Sequence, residues 1–453
     1  MTKNMTEGRP ISLILRFALP LLMGNLFQQT YNMVDAAIVG RALGAEALGA
    51  VGASTSVQFL VLGFCIGICT GFTIPIAQAF GAGRFDNLRR FIFHSILLTA
   101  FFALFLTLLC SLLCSRILHV LKTPEELFRD AYVYLLIIFL GIPFNLIYNL
   151  CSSILRAVGD SRTPFLFLAF SAVLNIGLDL LLILAFHLGT EGAAIATIVS
   201  QGVSGFLCIL LIRKKYEFLH ILKDEKKVQG HFIRILLSMG VPMGLQFSIT
   251  AIGSMVMQSA NNALGAVYVS AYAAGMKIKQ LAMCPFDAIA TGVSTFAGQN
   301  YGAGKIDRVR KGIFHGTIAG ILYGVMIGIV LIFFGRSLSM MFVEKSYISV
   351  LDASGLYLRC LGFFYWVLGI LNVCRMSVQG LGYSFLAIFG GVLEMIARIT
   401  VSFGFVPRYG FKAICFADQS AWISAAIYIV IALLWVLNRI KIRRSKAAEI
   451  SAG

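Results

Sequence analysis

Twelve apolar runs, each long enough to cross a membrane, constrain this chain more than any other feature. They lie near 11–35, 54–78, 93–114, 131–154, 164–186, 192–212, 235–258, 271–297, 313–334, 353–375, 384–406 and 415–437. A spanning helix needs about 20 such residues, and inside lipid the backbone must satisfy its own hydrogen bonds. Only 13% of the 453 residues are charged and 59% are apolar, whereas soluble domains are about 25% charged. The expected fold class is all-α, a polytopic membrane protein of twelve transmembrane helices. The first run begins almost at once and no small-residue cleavage site follows it, so it reads as a retained helix and not as a signal peptide.

The chain is also a duplication. Gln78-Ala-Phe-Gly-Ala-Gly-Arg-Phe-Asp-Asn-Leu-Arg-Arg-Phe-Ile-Phe-His94 matches Gln299-Asn-Tyr-Gly-Ala-Gly-Lys-Ile-Asp-Arg-Val-Arg-Lys-Gly-Ile-Phe-His315 at 9 of 17 positions, at an offset of 221. Leu43-Gly-Ala45 falls on Leu264-Gly-Ala266 at that offset, and Pro20 matches Pro242 with a slip of one. The unit of repetition is six helices, an even number, so both copies enter the membrane in the same sense. Two parallel six-helix lobes related by a pseudo-two-fold along the membrane normal follow. The expected division is an N-lobe over 1–212, a linker over 213–234, a C-lobe over 235–438 and a basic tail over 439–453. The linker is too short to bury a core of its own. Gly-Ala-Gly-Arg and Gly-Ala-Gly-Lys lack both the spacing and the preceding strand of a phosphate loop; they read as tight turns, with Arg89, Arg90, Arg310 and Lys311 anchoring the helices that follow.

Charge sets orientation. With the N-terminus inside, the inner segments carry 25 Lys and Arg and the outer ones 8, which places both termini in the cytoplasm. The formal net charge of +17 therefore holds the protein against the anionic lipids of a cell membrane; it does not mark a nucleic-acid partner. The ten cysteines include no Cys-x-x-Cys pair and sit mostly inside spans as small core residues. They form neither a disulfide framework nor a metal site.

Polar residues within the spans carry the functional reading. Helix 1 places Gln28, Tyr31 or Asn32, and Asp35 on one stripe, and a charge in mid-membrane costs roughly 2.5–3.5 kcal/mol on insertion scales. Such a stripe faces protein or a wet cavity, as an ion site or as a polar knot locking helix 1 to its neighbours. Helix 5 carries Asn175 and Asp179 at i, i+4, and helix 6 carries Thr197. From the sense of each helix, all four fall at similar depth in the outer half. Two carboxylates brought together in a dry site repel, and a proton or Na⁺ relieves the repulsion, with the Asn and Thr oxygens completing a shell. The second half lacks the pair: Asp35 corresponds to Val256, and Asp179 to Thr400 or, with a short gap, to Arg398. An ion site in the first half alone is expected.

Other charges read more plainly. Glu394 and Arg398 form an i, i+4 internal pair, with cavity lining as the second reading. Lys277 and Lys279 snorkel at the start of helix 8, and Asp418 opens helix 12 at the interface. Asp287, after Pro285, is a second acidic site or a partner for a helix-8 lysine. Gln246, Met257 and Asp287 join Gln28, Tyr31 and Asn32 as candidate linings of a substrate cavity.

Gln-x-x-Tyr-Asn-Met-Val-Asp over Gln28–Asp35, followed by Gly40-Arg-x-Leu-Gly44, resembles the multidrug and toxic compound extrusion (MATE) family. So do Gln-x-x-Gly-Ala-Gly after helices 2 and 8, Arg156-Ala-x-Gly159 before Thr-Pro164, and Asn175-x-x-x-Asp179. The resemblance covers essentially the whole chain. It implies a monomeric antiporter, not an enzyme, with no cofactor, in which inward H⁺ or Na⁺ drives the export of small, cationic, amphipathic organic molecules. It implies the coupling site at Asp35, Asn175, Asp179 and Thr197. The NorM-like branch has a glutamate on helix 7, where this chain has Gln246 and Gln258, and an aspartate inside helix 10, where it has none. The resemblance is thus nearer to the DinF-like branch. The alternative, a flippase for lipid-linked precursors in the same superfamily, wants a strongly cationic cavity, and interior bases are few: Lys277, Lys279 and Arg398.

Overall fold

The computed structural model describes residues 4–121 and 123–452, without the side chains of Ala45, Leu48, Ala53 and the residues from Arg444 onward. Lys3 and Lys122, and the side chains of Arg444 and Lys446 in the tail, lie outside the described residues. All regular structure among these residues is helical. In the first half of the chain α1 (Pro10–Ala42), α2 (Gly44–Gly81), α3 (Phe85–Val120), α4 (Glu125–Leu140), α5 (Ile142–Ala157), α6 (Arg162–Asp179) and α7 (Thr190–Lys215) follow one another. The second half runs α8 (Gly230–Asn262), α9 (Ala266–Gly302), α10 (Ile306–Ser339), α11 (Ile348–Gly362), α12 (Tyr365–Gly380), α13 (Ser384–Thr400), α14 (Val406–Tyr409) and α15 (Phe411–Ala452). Ten helices are long and apolar enough to cross a membrane. The pairs α4–α5 and α11–α12, bent by 46° and 54°, each complete one more span, giving twelve.

The repeat is visible in the irregularities as much as in the helices. The bends fall at Gly141 and Gly362, which are 221 residues apart. Each glycine is demanded by a close approach: a Cβ on Gly141 would lie 2.1 Å from Ile198 Cγ2, and one on Gly362 2.6 Å from the Gly328 carbonyl. The π-helical turns that extend α6 (Leu180–Ala185) and α13 (Val401–Phe405) also start 221 apart. So do Gly83 and Gly304, whose φ of 68° and 71° close the two Gly-Ala-Gly turns in a conformation that disfavours any Cβ.

The chain groups into two compact units, one built on Leu19–Ser248 and the other on Met5–Ala18 with Ile249 onward. In the first unit, Ile68, Phe72, Leu135, Phe139, Leu146 and Leu155 form the centre of a continuous apolar core. The segment over 213–234 is ordered against that unit. Its two 3-10 turns, Glu217–Leu219 and Lys223–Glu225, are held by Tyr216 donating to Asp160 and by Arg89 Nε donating to Glu225 at 2.8 and 2.9 Å. The Gln229 N–H donates to His94 Nε2 at 2.9 Å. In the second unit, the segment at Met5 is bound in the same manner: its N–H donates to Gln299 Oε1 at 2.9 Å, and its carbonyl accepts from Asn300 Nδ2 at 3.1 Å.

Candidate functional site

Helix α1 brings Asp35 beside Asp179, the last residue of α6 before the π-helical turn, and the two carboxyls are in hydrogen-bonding contact. Two carboxyl oxygens in such contact can share a proton. Packing of Phe27 on Phe165, at 5.9 Å between ring centroids, seats α1 on α6 one helical stretch away. Asp179 is fully buried and Asn175 is 2% exposed. With its amide oriented to suit its neighbours, Asn175 donates to Asp179 Oδ2 at 3.2 Å and accepts the Thr197 N–H at 3.2 Å. Thr197 Oγ1 donates to the Ala193 carbonyl at 3.0 Å. All four expected site residues therefore converge.

Two further residues belong to the cluster. Tyr31 stands near both carboxylates, as expected of the helix-1 stripe. Tyr134 stands near them too and is hydrogen-bonded to Gln58. Neither Tyr134 nor Gln58 is an acid inside an apolar run, so hydropathy alone does not pick out either. Among the described residues no basic side chain pairs with Asp35 or Asp179, and the Oδ1 atom of each is buried without a hydrogen-bond partner. A pair of oxygens so arranged can take a proton or a small monovalent cation. No group of three or more His, Cys, Asp or Glu side chains able to hold a metal ion occurs among the described residues.

The remaining candidate lining residues divide. Asn32 and Asp287 are exposed, and Gln28 is half-buried. Met257 is 1% and Gln246 5% exposed, so these two are core residues in this conformation, because α8 packs them inward where the sequence offered only a polar or adaptable side chain in a span.

The second unit corrects three readings. Asp418 is not interfacial: it is fully buried. Its Oδ2 accepts from Lys279 Nζ at 2.5 Å and Tyr357 Oη at 3.1 Å, and its Oδ1 accepts from Arg398 Nε at 3.2 Å and Nη2 at 3.1 Å. Lys279 consequently does not snorkel; it is 6% exposed, with Nζ 5.5 Å from the centre of the Trp422 ring. Glu394 does pair with Arg398, at 3.3 Å, but it also receives Arg375 Nη2. Arg375, counted above with the inner-segment charges, is buried in this network. Lys277 is exposed, with Nζ 5.6 Å from the Phe342 ring. The signal that could have found the network is the repeat itself, since Gln58 falls on Lys279 and Thr197 on Asp418 at the same offset of 221.

The MatE family model matches this chain twice, over residues 20–181 and 242–403. The probable multidrug resistance protein YpnP of Bacillus subtilis is 31% identical over 420 residues, 93% of this chain and 91% of that protein. The probable multidrug resistance protein NorM of Thermotoga maritima is 27% identical over 82% of this chain and 80% of its own. A structure described as the outward-facing conformation of a multidrug resistance MATE family transporter superposes with a TM-score of 0.89 over 97% of this chain and 98% of its own. At 20% identity that likeness speaks for the fold. With a NorM among the relatives, the comparisons do not single out the DinF-like branch, and they do not favour a flippase.

Proposed function

This chain belongs to the MatE family, whose members are transporters and not enzymes, and from that premise we propose that it is a cation-coupled antiporter exporting small organic cations. Asp35 and Asp179, with Asn175 and Thr197, are its coupling site. The observation that carries this reading is the contact between two carboxyls in a buried pocket with no basic partner among the described residues. A proton is the simplest occupant of such a pair. Na⁺ is the second reading, supported by the buried, unpartnered Oδ1 atoms of both aspartates.

Binding the ion removes one negative charge from the cluster and re-seats α1, with Pro20 inside it, against α6. The two carboxyls bind the ion unequally in the two access states, and that difference biases the exchange. The membrane is the cell membrane, with both termini cytoplasmic, and the working unit is the monomer. Ethidium accumulation in cells expressing the wild type, Asp35→Asn or Asp179→Asn tests the site. Either substitution abolishes efflux while membrane levels hold; undiminished efflux by the double variant sinks the proposal.

A further inference from the structure

Several residues in and around the coupling cluster have charged counterparts in the second unit, although Asp35 itself falls on Val256. With a gap of two residues in the 221 offset, Val173-Leu-Asn175 and Asp179 align with Val392-Leu-Glu394 and Arg398, while at 221 itself Ala196-Thr197 aligns with Ala417-Asp418 and Gln58 with Lys279. Where the first unit has an amide, an acid, a hydroxyl and an amide, the second has an acid, a guanidinium, an acid and an ammonium. The contacts correspond as well. Asn175 bridges Asp179 and Thr197; Arg398 bridges Glu394 and Asp418.

The two sites differ in what their carboxylates touch. Asp35 and Asp179 each keep one buried oxygen without a partner. Both Asp418 oxygens are filled, by Lys279, Tyr357 and two guanidinium nitrogens. We propose that Lys279 and Arg398 are tethered counter-ions that permanently occupy, in the second unit, the place where the first unit takes up its coupling cation. The second site is then a closed copy: its cations are covalently part of the chain, so it exchanges none. This rests on the first-unit coupling reading for its functional meaning, and it assigns the asymmetry between the units to two side chains. Glu394 and Arg375 complete the network, so three cations meet two buried carboxylates there.

The test uses full-length protein in nanodiscs, in an Asp35→Asn/Asp179→Asn background that silences the first site. The melting midpoint is followed against NH₄Cl and NaCl, with ionic strength held by N-methylglucamine chloride. The background is flat. Adding Lys279→Ala lowers the midpoint and makes it climb by several degrees with ammonium, which takes the vacated position beside Asp418 Oδ2 and Tyr357. Lys279→Arg stays flat, and Lys279→Ala with Asp418→Asn is flat again. A Lys279→Ala midpoint indifferent to both salts overturns the proposal, as does a background that responds as steeply. If Lys279→Ala aggregates, monodisperse yield on solubilisation is read instead: higher yield in ammonium supports the tethered counter-ion, and equal yield overturns it. Efflux by Asp35→Asn in an otherwise native chain reports separately on the first site, so the two ideas fail independently.

Discussion

Asp160→Asn offers a quantitative check on how the first unit holds the turn that positions α6. Asp160 is 2% exposed and lies between α5 and α6. Its Oδ1 accepts the N–H groups of Arg162 and Thr163 at 3.0 and 3.1 Å, and its Oδ2 accepts Thr163 Oγ1 at 2.6 Å and the Tyr216 hydroxyl. Asparagine keeps one oxygen for the backbone pair and turns an NH₂ donor toward two hydroxyl donors. Hydrogen bonds to a charged group are worth about 1.5–3 kcal/mol each, and both hydroxyls can rotate to new partners, so the net loss is about 2–3 kcal/mol. Tyr216→Phe removes one of the two and costs about 1–2 kcal/mol by the same reckoning. Equilibrium unfolding with SDS in mixed micelles measures both, and in the double variant the Tyr216 cost falls below about 0.5 kcal/mol because the shared bond is already gone. Burial pushes the Asp160 carboxyl up, but the bonds from Thr163 and Tyr216 outweigh it and hold it below its ordinary value. A depressed folded-state value means stability that is complete above about pH 4, the unfolded range, and lost as pH falls through the folded value. The gap between wild type and Asp160→Asn therefore closes in acid. A gap that widens in acid, or two substitutions that add in full, refutes this account of the turn.

Gly362→Ala forces a Cβ against the Gly328 carbonyl, 2.6 Å away, and costs about 1–3 kcal/mol as overpacking; Gly390→Ala, which meets nothing within 4 Å, is neutral or stabilising in the same unfolding assay. Arg89→Ala removes the bidentate partner of Glu225, a loss of about 2 kcal/mol that raises tryptic cleavage at Lys223, Lys226 and Lys227 about 30-fold if local opening limits cutting. Arg398→Met leaves Asp418 and Glu394 short of their shared cation and destabilises by about 3–5 kcal/mol, the usual cost of breaking a buried pair from one side. Unchanged stability in that variant would mean the network is wet and its ion pairs are inconsequential.

The membrane architecture was legible in the sequence because lipid leaves few options: apolar runs of the right length become helices, and a repeat of six keeps its sense. The polar cluster on α1 and α6 was legible for the same reason, since Asp35 and Asp179 are conspicuous inside apolar runs and helical spacing brings Asn175 alongside. What escaped was set by helix length and partner geometry. α9 runs Ala266–Gly302 and α15 starts at Phe411, so Lys279 and Asp418 lie deeper within their helices than apolar windows starting at 271 and 415 suggest. Each alone looks like a charge near a helix end, where snorkelling is cheap. Hydropathy scores a buried Lys–Asp–Arg cluster as three penalties and cannot see that they cancel. The bends at Gly141 and Gly362 were hidden too, because a glycine needed for a close approach looks like any other glycine in an apolar run.

Transport against defined gradients tests the central claim most directly. Proteoliposomes carrying the wild type, Asp35→Asn or Asp179→Asn are loaded with a fluorescent organic cation and given either a proton gradient or a sodium gradient, with the other ion clamped. The account predicts that one gradient drives cation movement by the wild type and that both variants lose the gradient-driven component. Variants that retain gradient-driven transport at the wild-type rate would contradict it.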